Sequence, residues 1–306
     1  MRVGEPAMEF VEIVGGSCVF LAPTNMGVYH WGDKCILIDS GFGRDNARKA
    51  LKLIEGRGWR LVAVINTHCH ADHCGGNRLI SRRTGAEIYA PREEIPYIER
   101  PELHLRSLYG LAYPPKDATI RLLLGDNCRV NHPLELGEIS IEGVKLKIVS
   151  LPGHSIAQIG IITPDNVLYA GDALFTRKTL EKYAIPFYID PEETVNSANS
   201  LLKLGVDAVI IGHDRVIWRE DLRQHVDFYV SRVEAVEEAV LNSLDMPLST
   251  EEVVSKVARG MGVQGVMLQY LLASTTIKGH LAHLLGRGLV EAKLENFKVV
   301  WRRRKD

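Results

Sequence analysis

Long apolar runs are missing from this chain of 306 residues. None approaches the roughly 18 residues that a membrane-crossing helix needs, so no span is expected. Cysteine is scarce: Cys18, Cys35, Cys69, Cys74 and Cys128 make five, an odd number. That argues against a disulfide-stapled scaffold and fits a reducing compartment. Residues 1–6 hold no basic region followed by an apolar segment, so no signal peptide is read there and the cytoplasm is the expected location. What is present, 46% hydrophobic and 25% charged residues, is ordinary for a soluble globular protein. The length accommodates one large domain, or a large one and a small one.

The most informative stretch is Thr67-His68-Cys69-His70-Ala71-Asp72-His73, directly after the apolar residues 61–65. Mixed imidazole and carboxylate ligands suit borderline metals such as zinc. His68 and His70 are two apart, so in an extended segment they project to the same side. Asp72 and His73 are adjacent and diverge, which lets them serve a second centre. A helix would instead pair His68 with Asp72 and strand His70. The string therefore reads as a loop leaving a buried strand and carrying parts of two metal sites. Cys69 and Cys74 flank it and read as small apolar fillers, because His and Asp already supply enough ligands.

The first third alternates β-type runs (residues 11–21, 28–31 and 35–38) with a helical pattern over 44–56, where Ala47, Leu51 and Ile54 share a face. A buried strand over 61–66 leads into the motif, and 77–84 reads as a short helix. Residues 91–119 differ, with five prolines (Pro91, Pro96, Pro101, Pro114, Pro115) and Tyr97, Tyr109 and Tyr113. They read as a partly helical excursion, either a connector or a lid. Strands return at 139–141, 144–149, 159–162 and 167–170, and a helix over 193–204 precedes a strand at 208–211. The repeated order of strands, helix and strand suggests a sandwich of two similar halves. A long amphipathic helix over 219–244 carries Val226, Val230, Val233, Val236 and Val240. Asp245-Met246-Pro247-Leu248-Ser249 marks a boundary, dividing the chain into 1–245 and 246–306. Three short helical patterns (250–259, 266–272, 275–285) and a hairpin around Glu295-Asn296 then describe a winged helix.

Three further ligand candidates stand where an apolar strand delivers a glycine and then a polar residue. They are His154 in Pro152-Gly153-His154-Ser155, Asp172 in Gly171-Asp172-Ala173-Leu174-Phe175, and His213 in Gly212-His213-Asp214. With these motifs in this order, the chain resembles the metallo-β-lactamase superfamily over nearly all of residues 1–245. The resemblance implies an α/β fold, a four-layer αββα sandwich with metals at one edge. It implies that His68, His70 and His154 hold one metal and that Asp72, His73 and His213 hold a second. Asp172 would bridge the two, and Asp39 would support the metal loop from behind. Two divalent ions follow, with zinc favoured and iron or manganese also accepted by such a set. The implied chemistry is hydrolysis by an activated water, with Asp72 and Asp172 among the catalytic groups. Tyr183 and Tyr188 are candidates to assist the leaving group, with wall packing as their competing role.

The opening string and Gly-Asp-Ala-Leu-Phe look like the glyoxalase II branch, whose substrates are thioesters. Lactonases and phosphodiesterases share the ligand set, so the expected substrate is a small molecule with an ester-type bond. The winged-helix tail is similar to that of the lactamase-β-like proteins, some of which are endoribonucleases. Residues 275–306 hold eight basic and three acidic residues, a surface for phosphates or the solvated end of a packing or dimerisation module. Persulfide dioxygenases also resemble the chain, and there one iron would sit on His68, His154 and Asp172. Deleting residues 246–306 is expected to leave the metal site intact.

Overall fold

The computed structural model describes residues 8–117 and 119–304, so the leader reading on residues 1–6 and the basic Lys305 lie outside the described residues. The first sheet holds Glu9–Val14 (β1), Ser17–Leu21 (β2), Met26–Trp31 (β3), Lys34–Ile38 (β4), Arg60–Ile65 (β5), Glu87–Pro91 (β6) and His132–Leu134 (β7), in chain order across the sheet. Its first four strands are antiparallel and β4 to β7 run parallel. The second sheet holds Gly137–Ile141 (β8), Val144–Ser150 (β9), Ile159–Ile162 (β10), Val167–Gly171 (β11), Ala208–Ile211 (β12) and Val216–Trp218 (β13), in the reverse order. Here β11 and β12 are parallel and the other pairs antiparallel.

Strand alternation builds the layers. Ile36 and Ile38 of β4 join Ala63, Ile65, Ile148, Ile161, Tyr169 and Ile210 between the sheets. Cys35 and Leu37 point the other way, because successive side chains leave opposite faces. They meet helix Gly43–Glu55 (α1) and, past the single turn Ala71–Cys74 (α2), helix Asn77–Thr84 (α3). Beyond β6 the excursion folds as two short helices, Ile95–Glu99 (α4) and Glu102–Ser107 (α5). On the far side of the second sheet lie Arg177–Lys182 (α6), Pro191–Leu201 (α7) and the long Arg219–Ser243 (α8). Leu201, Leu222, Val226 and Tyr229 from α7 and α8 cover Leu168, Val209 and Ile211. The result is the expected αββα sandwich.

The tail departs from its expected pattern. Strand Leu248–Ser249 (β14) leads into helix Thr250–Gly260 (α9), where Ser249 and Glu252 form a capping box. The two patterns at 266–272 and 275–285 are one continuous helix, Met267–Gly286 (α10). Ser274-Thr275-Thr276 looks like a break, since such residues compete for backbone groups. Here the Thr275 hydroxyl donates to the carbonyl of Leu271, four residues back and within the same helix. Strands Val290–Glu295 (β15) and Lys298–Arg303 (β16) form the hairpin, and β14 adds to β16. The end of α8 stands in for the third helix: Val236, Val240 and Leu244 pack with Val253, Val257, Ile277, Leu281 and Val290. We propose these parts as the winged helix of residues 246–306, sharing α8 with the sandwich.

Candidate metal centre

The seven expected ligands meet at one edge of the sandwich. His68, His70, Asp72 and His73 follow β5, while His154, Asp172 and His213 follow β9, β11 and β12. The expected loop is irregular through His70, and α2 then carries Asp72 and His73. All three glycine turns are forced by close approach, and a Cβ on Gly153, with φ of 115°, would overlap the Thr194 backbone. Gly171 has φ of 52°, and a Cβ there would come within 2.6 Å of Thr67 Oγ1. A Cβ on Gly212 would overlap Asp172 Oδ1 and lie 2.7 Å from the His73 ring. Only glycine lets these strand ends deliver their ligands side by side.

The nitrogen atoms converge in two groups. His70 Nδ1 lies 3.0 Å from His68 Nε2 and 2.9 Å from His154 Nε2. Asp72 Oδ2 lies 3.7 Å from His73 Nε2 and 3.4 Å from His213 Nε2. Asp172 faces both groups: Oδ1 is 3.3 Å from His73 Nε2, and Oδ2 is 3.3 Å from His154 Nε2 and 3.4 Å from His213 Nε2. His73 Nε2 and Asp172 Oδ1 are buried without a hydrogen-bond partner. An unsatisfied buried polar atom costs about 1–3 kcal/mol, so this pairing fits a site shaped around a cation. Five imidazoles and two carboxylates also match the donor preference of zinc-like divalent ions.

The far nitrogen is held from behind in four of the five imidazoles, His68, His73, His154 and His213. His154 Nδ1 donates to the carbonyl of Phe187 at 2.9 Å and His213 Nδ1 to that of Pro23 at 2.6 Å. His73 Nδ1 meets Asp39 Oδ2 at 2.7 Å. His68 Nδ1 is 2.9 Å from Thr67 Oγ1, whose hydroxyl donates to Asp39 Oδ2 at 2.8 Å. Such contacts fix the tautomer that leaves Nε2 bare for a ligand role. Asp39 also accepts the Thr67 N–H at 2.8 Å, so one buried carboxylate braces the whole histidine loop.

Charge separates the two groups. Burial lowers the pKa of His68, and the imidazoles of His73, His70 and His154 lower it further. Burial, then His154 and His104, do the same to His70, so both are neutral, the form that ligates. Burial also opposes charge on His73, but Asp172, Asp72 and Asp39 outweigh it and push the pKa well up. His213 is raised against burial by Asp172 and Asp72. Burial favours the neutral carboxyl of Asp172, yet His213, His73 and His154 hold it well below the usual carboxylate range.

Four residues escaped the sequence reading. Buried Glu94 accepts from Cys69 N at 3.2 Å, Ser155 Oγ at 2.5 Å and Ala157 N at 2.9 Å, tying the His70 loop to the His154 loop. The Thr24 hydroxyl donates to Asp72 Oδ2 at 3.1 Å. His104 of α5 stands 4.7 Å from the His70 ring, and its ring nitrogen, Cys69 Sγ and a His70 nitrogen form a third close trio. Phe187 lies 5.6 Å from the His70 ring and 5.5 Å from the His154 ring, walling the mouth with Phe175. Each lies far in sequence from what it touches and carries no motif. Tyr188 is fully buried with its hydroxyl 2.7 Å from His280 Nε2, and Tyr183 is 41% exposed at the end of α6. Cys69 and Cys74 are buried in the first-sheet core, as expected of fillers.

A fold and a site of this kind define a class. The model of the metallo-beta-lactamase superfamily matches residues 20–213, and the chain belongs to that superfamily. Hydroxyacylglutathione hydrolase of Methylobacillus flagellatus is 24% identical over 226 residues, 71% of this chain and 74% of that protein. The enzyme of the same name from Nitrosococcus oceani is 30% identical over 133 residues, and the match spans only 39% of its length. Atrochrysone carboxyl ACP thioesterase of Aspergillus fumigatus is 26% identical over 238 residues, 76% of this chain and 64% of that protein. A metallo-beta-lactamase family protein from Thermus thermophilus superposes with a TM-score of 0.71 at 22% identity, covering 97% of this chain and 98% of its own. The shared fold therefore includes the C-terminal residues.

Proposed function

We propose that this protein is a two-metal hydrolase of ester-type bonds, with a thioester the preferred substrate. The observation that carries the reading is Asp172, whose two carboxylate oxygens face two separate histidine groups. His68, His70 and His154 would hold one divalent ion, and Asp72, His73 and His213 the other, with Asp172 shared. Zinc is the favoured ion for this donor set. A one-iron dioxygenase needs only His68, His154 and Asp172. The convergence of His70, Asp72, His73 and His213 on the same edge favours two ions.

Bound ions would supply Lewis acidity, lowering the pKa of water from about 15.7 toward 7 and polarising a carbonyl oxygen. The protein's own part is to hold its ligands in fixed tautomers, to keep Asp172 and Asp72 ionised, and to wall the mouth with Phe175 and Phe187. Tyr188 is engaged by His280 and so is not placed to protonate a leaving group. A thiolate needs little such help, since an ordinary thiol has a pKa of about 8.5. An alkoxide needs much more, and this weighs toward thioesters. The relatives named hydroxyacylglutathione hydrolase and atrochrysone carboxyl ACP thioesterase point the same way. In the tail, Arg287, Lys293 and Arg302 pair with Glu237, Glu291 and Glu295, which reduces its reach for phosphates and weighs against an endoribonuclease.

The test is metal analysis of the purified protein followed by a panel of thioester, lactone, phosphodiester and RNA substrates. Two ions per chain and thioester turnover are expected. Asp172→Ala should lose at least one ion and at least about a thousandfold of kcat/KM, roughly 4 kcal/mol of barrier. Full activity after metal stripping, or in Asp172→Ala, would sink the reading.

A further inference from the structure

Segment 186–190 is clamped between the C-terminal helix and the metal centre. On the inner side, the Phe187 carbonyl accepts the His154 Nδ1–H at 2.9 Å, and Ile189 N donates to the carbonyl of Gly153 at 2.8 Å. On the outer side, α10 presents Thr276, Gly279 and His280, which share a face because residues three and four apart lie together on a helix. Fully buried Thr276 takes the Tyr188 N–H at 3.3 Å and gives its own hydroxyl proton to the Tyr188 carbonyl at 2.9 Å, with the Pro186 carbonyl at 3.4 Å. One turn further, His280 Nε2 holds the Tyr188 hydroxyl at 2.7 Å. Between them a Cβ on Gly279 would come within 2.8 Å of the Ile189 carbonyl, so glycine lets the helix close on the segment.

The geometry points to Thr276 as a positioning residue of the metal centre: by gripping the peptide groups on both sides of Phe187, it sets the carbonyl that orients His154 and the ring that walls the site. The inference rests on the two-metal reading above. It makes α10 a working part of the catalytic unit, although the sequence placed that helix in a separable tail. Gly279 and His280 help close the clamp, and Met267 and Leu271 of α10 lie in the apolar cluster that takes the Phe187 ring, but Thr276 alone among them bonds the peptide groups beside Phe187. Leu281 and Leu284 of the same helix face the apolar tail core.

The decisive measurement is zinc affinity of the full chain by chelator competition, alongside Tm and the His154 ring N–H signal in 15N-histidine-labelled protein. Losing the outer partner of a ligand histidine costs 10–100-fold in metal affinity. Thr276→Val acts one step further out, so about a tenfold loss at one of the two ions is expected, with faster exchange of the His154 Nδ1–H. Thr276→Ser keeps the hydroxyl and should restore both. Leu281→Ala is the control for plain destabilisation: it should lower Tm at least as much with zinc affinity unchanged. Wild-type affinity in Thr276→Val, or equal weakening in Leu281→Ala, would overturn the proposal. If Thr276→Val does not fold, Thr276→Ala, which removes the hydroxyl without adding a methyl group, decides, with weaker zinc binding in support and unchanged binding against. Wild-type protein that takes up fewer than two zinc ions would instead defeat the two-metal reading itself.

Discussion

Asp39 shows how much one side chain outside the ligand set controls. Its φ of 60° is unusual for a non-glycine residue, and its carboxylate gathers Thr67 and His73 at the end of β4. Asp39→Asn keeps the size but turns an amide donor toward one of these donors. Zinc affinity should fall 10–100-fold in competition with a chelator, with the fold retained by circular dichroism. The raised pKa values of His73 and His213 have a direction that can be measured. Without metal they keep protons at neutral pH that binding must expel, so zinc loading at pH 7 should release protons and weaken as pH falls. Calorimetry in buffers of different ionisation enthalpy reads that release directly, and zero release would contradict the charge assignment. At this scale the ligand residues were legible because metal chemistry restricts them to His and Asp at strand ends. Glu94, Thr24 and His104 were not, because each acts through a contact that folding alone creates.

Elements were legible where a pattern was long. The helix over α1 and the strands β9 to β12 emerged within a few residues of their expected bounds. The short parallel strands β6 and β7, five and three residues long, offer too little alternation to announce themselves. The division of α10 into two helices was the clearest departure, since Ser274, Thr275 and Thr276 signal a break, yet the Thr275 hydroxyl finds the Leu271 carbonyl and the Thr276 hydroxyl the Tyr188 carbonyl. His280 on this helix predicts an acid sensitivity. Burial, with a smaller push from His283, lowers its pKa to about 3. Between the ordinary imidazole value near 6.5 and that depressed value, the unfolded chain binds a proton that the folded chain refuses. Stability therefore falls as pH drops through this window, by about 2 kcal/mol from pH 7 to 5. Urea melts at the two pH values should show that loss, and His280→Gln should shrink it.

The whole molecule is a sandwich that draws its proposed metal ligands from both sheets. The long helix α8 ends at Ser243, before the boundary read at residue 245, but its last turns pack against the tail, so removing residues 246–306 would bare Val236, Val240 and Leu244. Such a truncation should aggregate and bind zinc more weakly than the intact chain, contrary to the expectation from sequence; light scattering and chelator competition check both. The provenance of the seven ligands has a mechanical side as well. Four belong to the loop after β5 and three to turns after β9, β11 and β12, so ions seated there would act as a clasp between two sheets that also meet through apolar contacts, hydrogen bonds and the Lys34–Glu142 ion pair. A ligand that binds only the folded state stabilises it by about 4 kcal/mol at a thousandfold excess over Kd. The Tm should therefore climb with free zinc, and amide exchange at the ends of β5 and β11 should slow together when zinc is added. In the cell such a clasp would make the protein's lifetime, as well as its turnover, track the supply of metal.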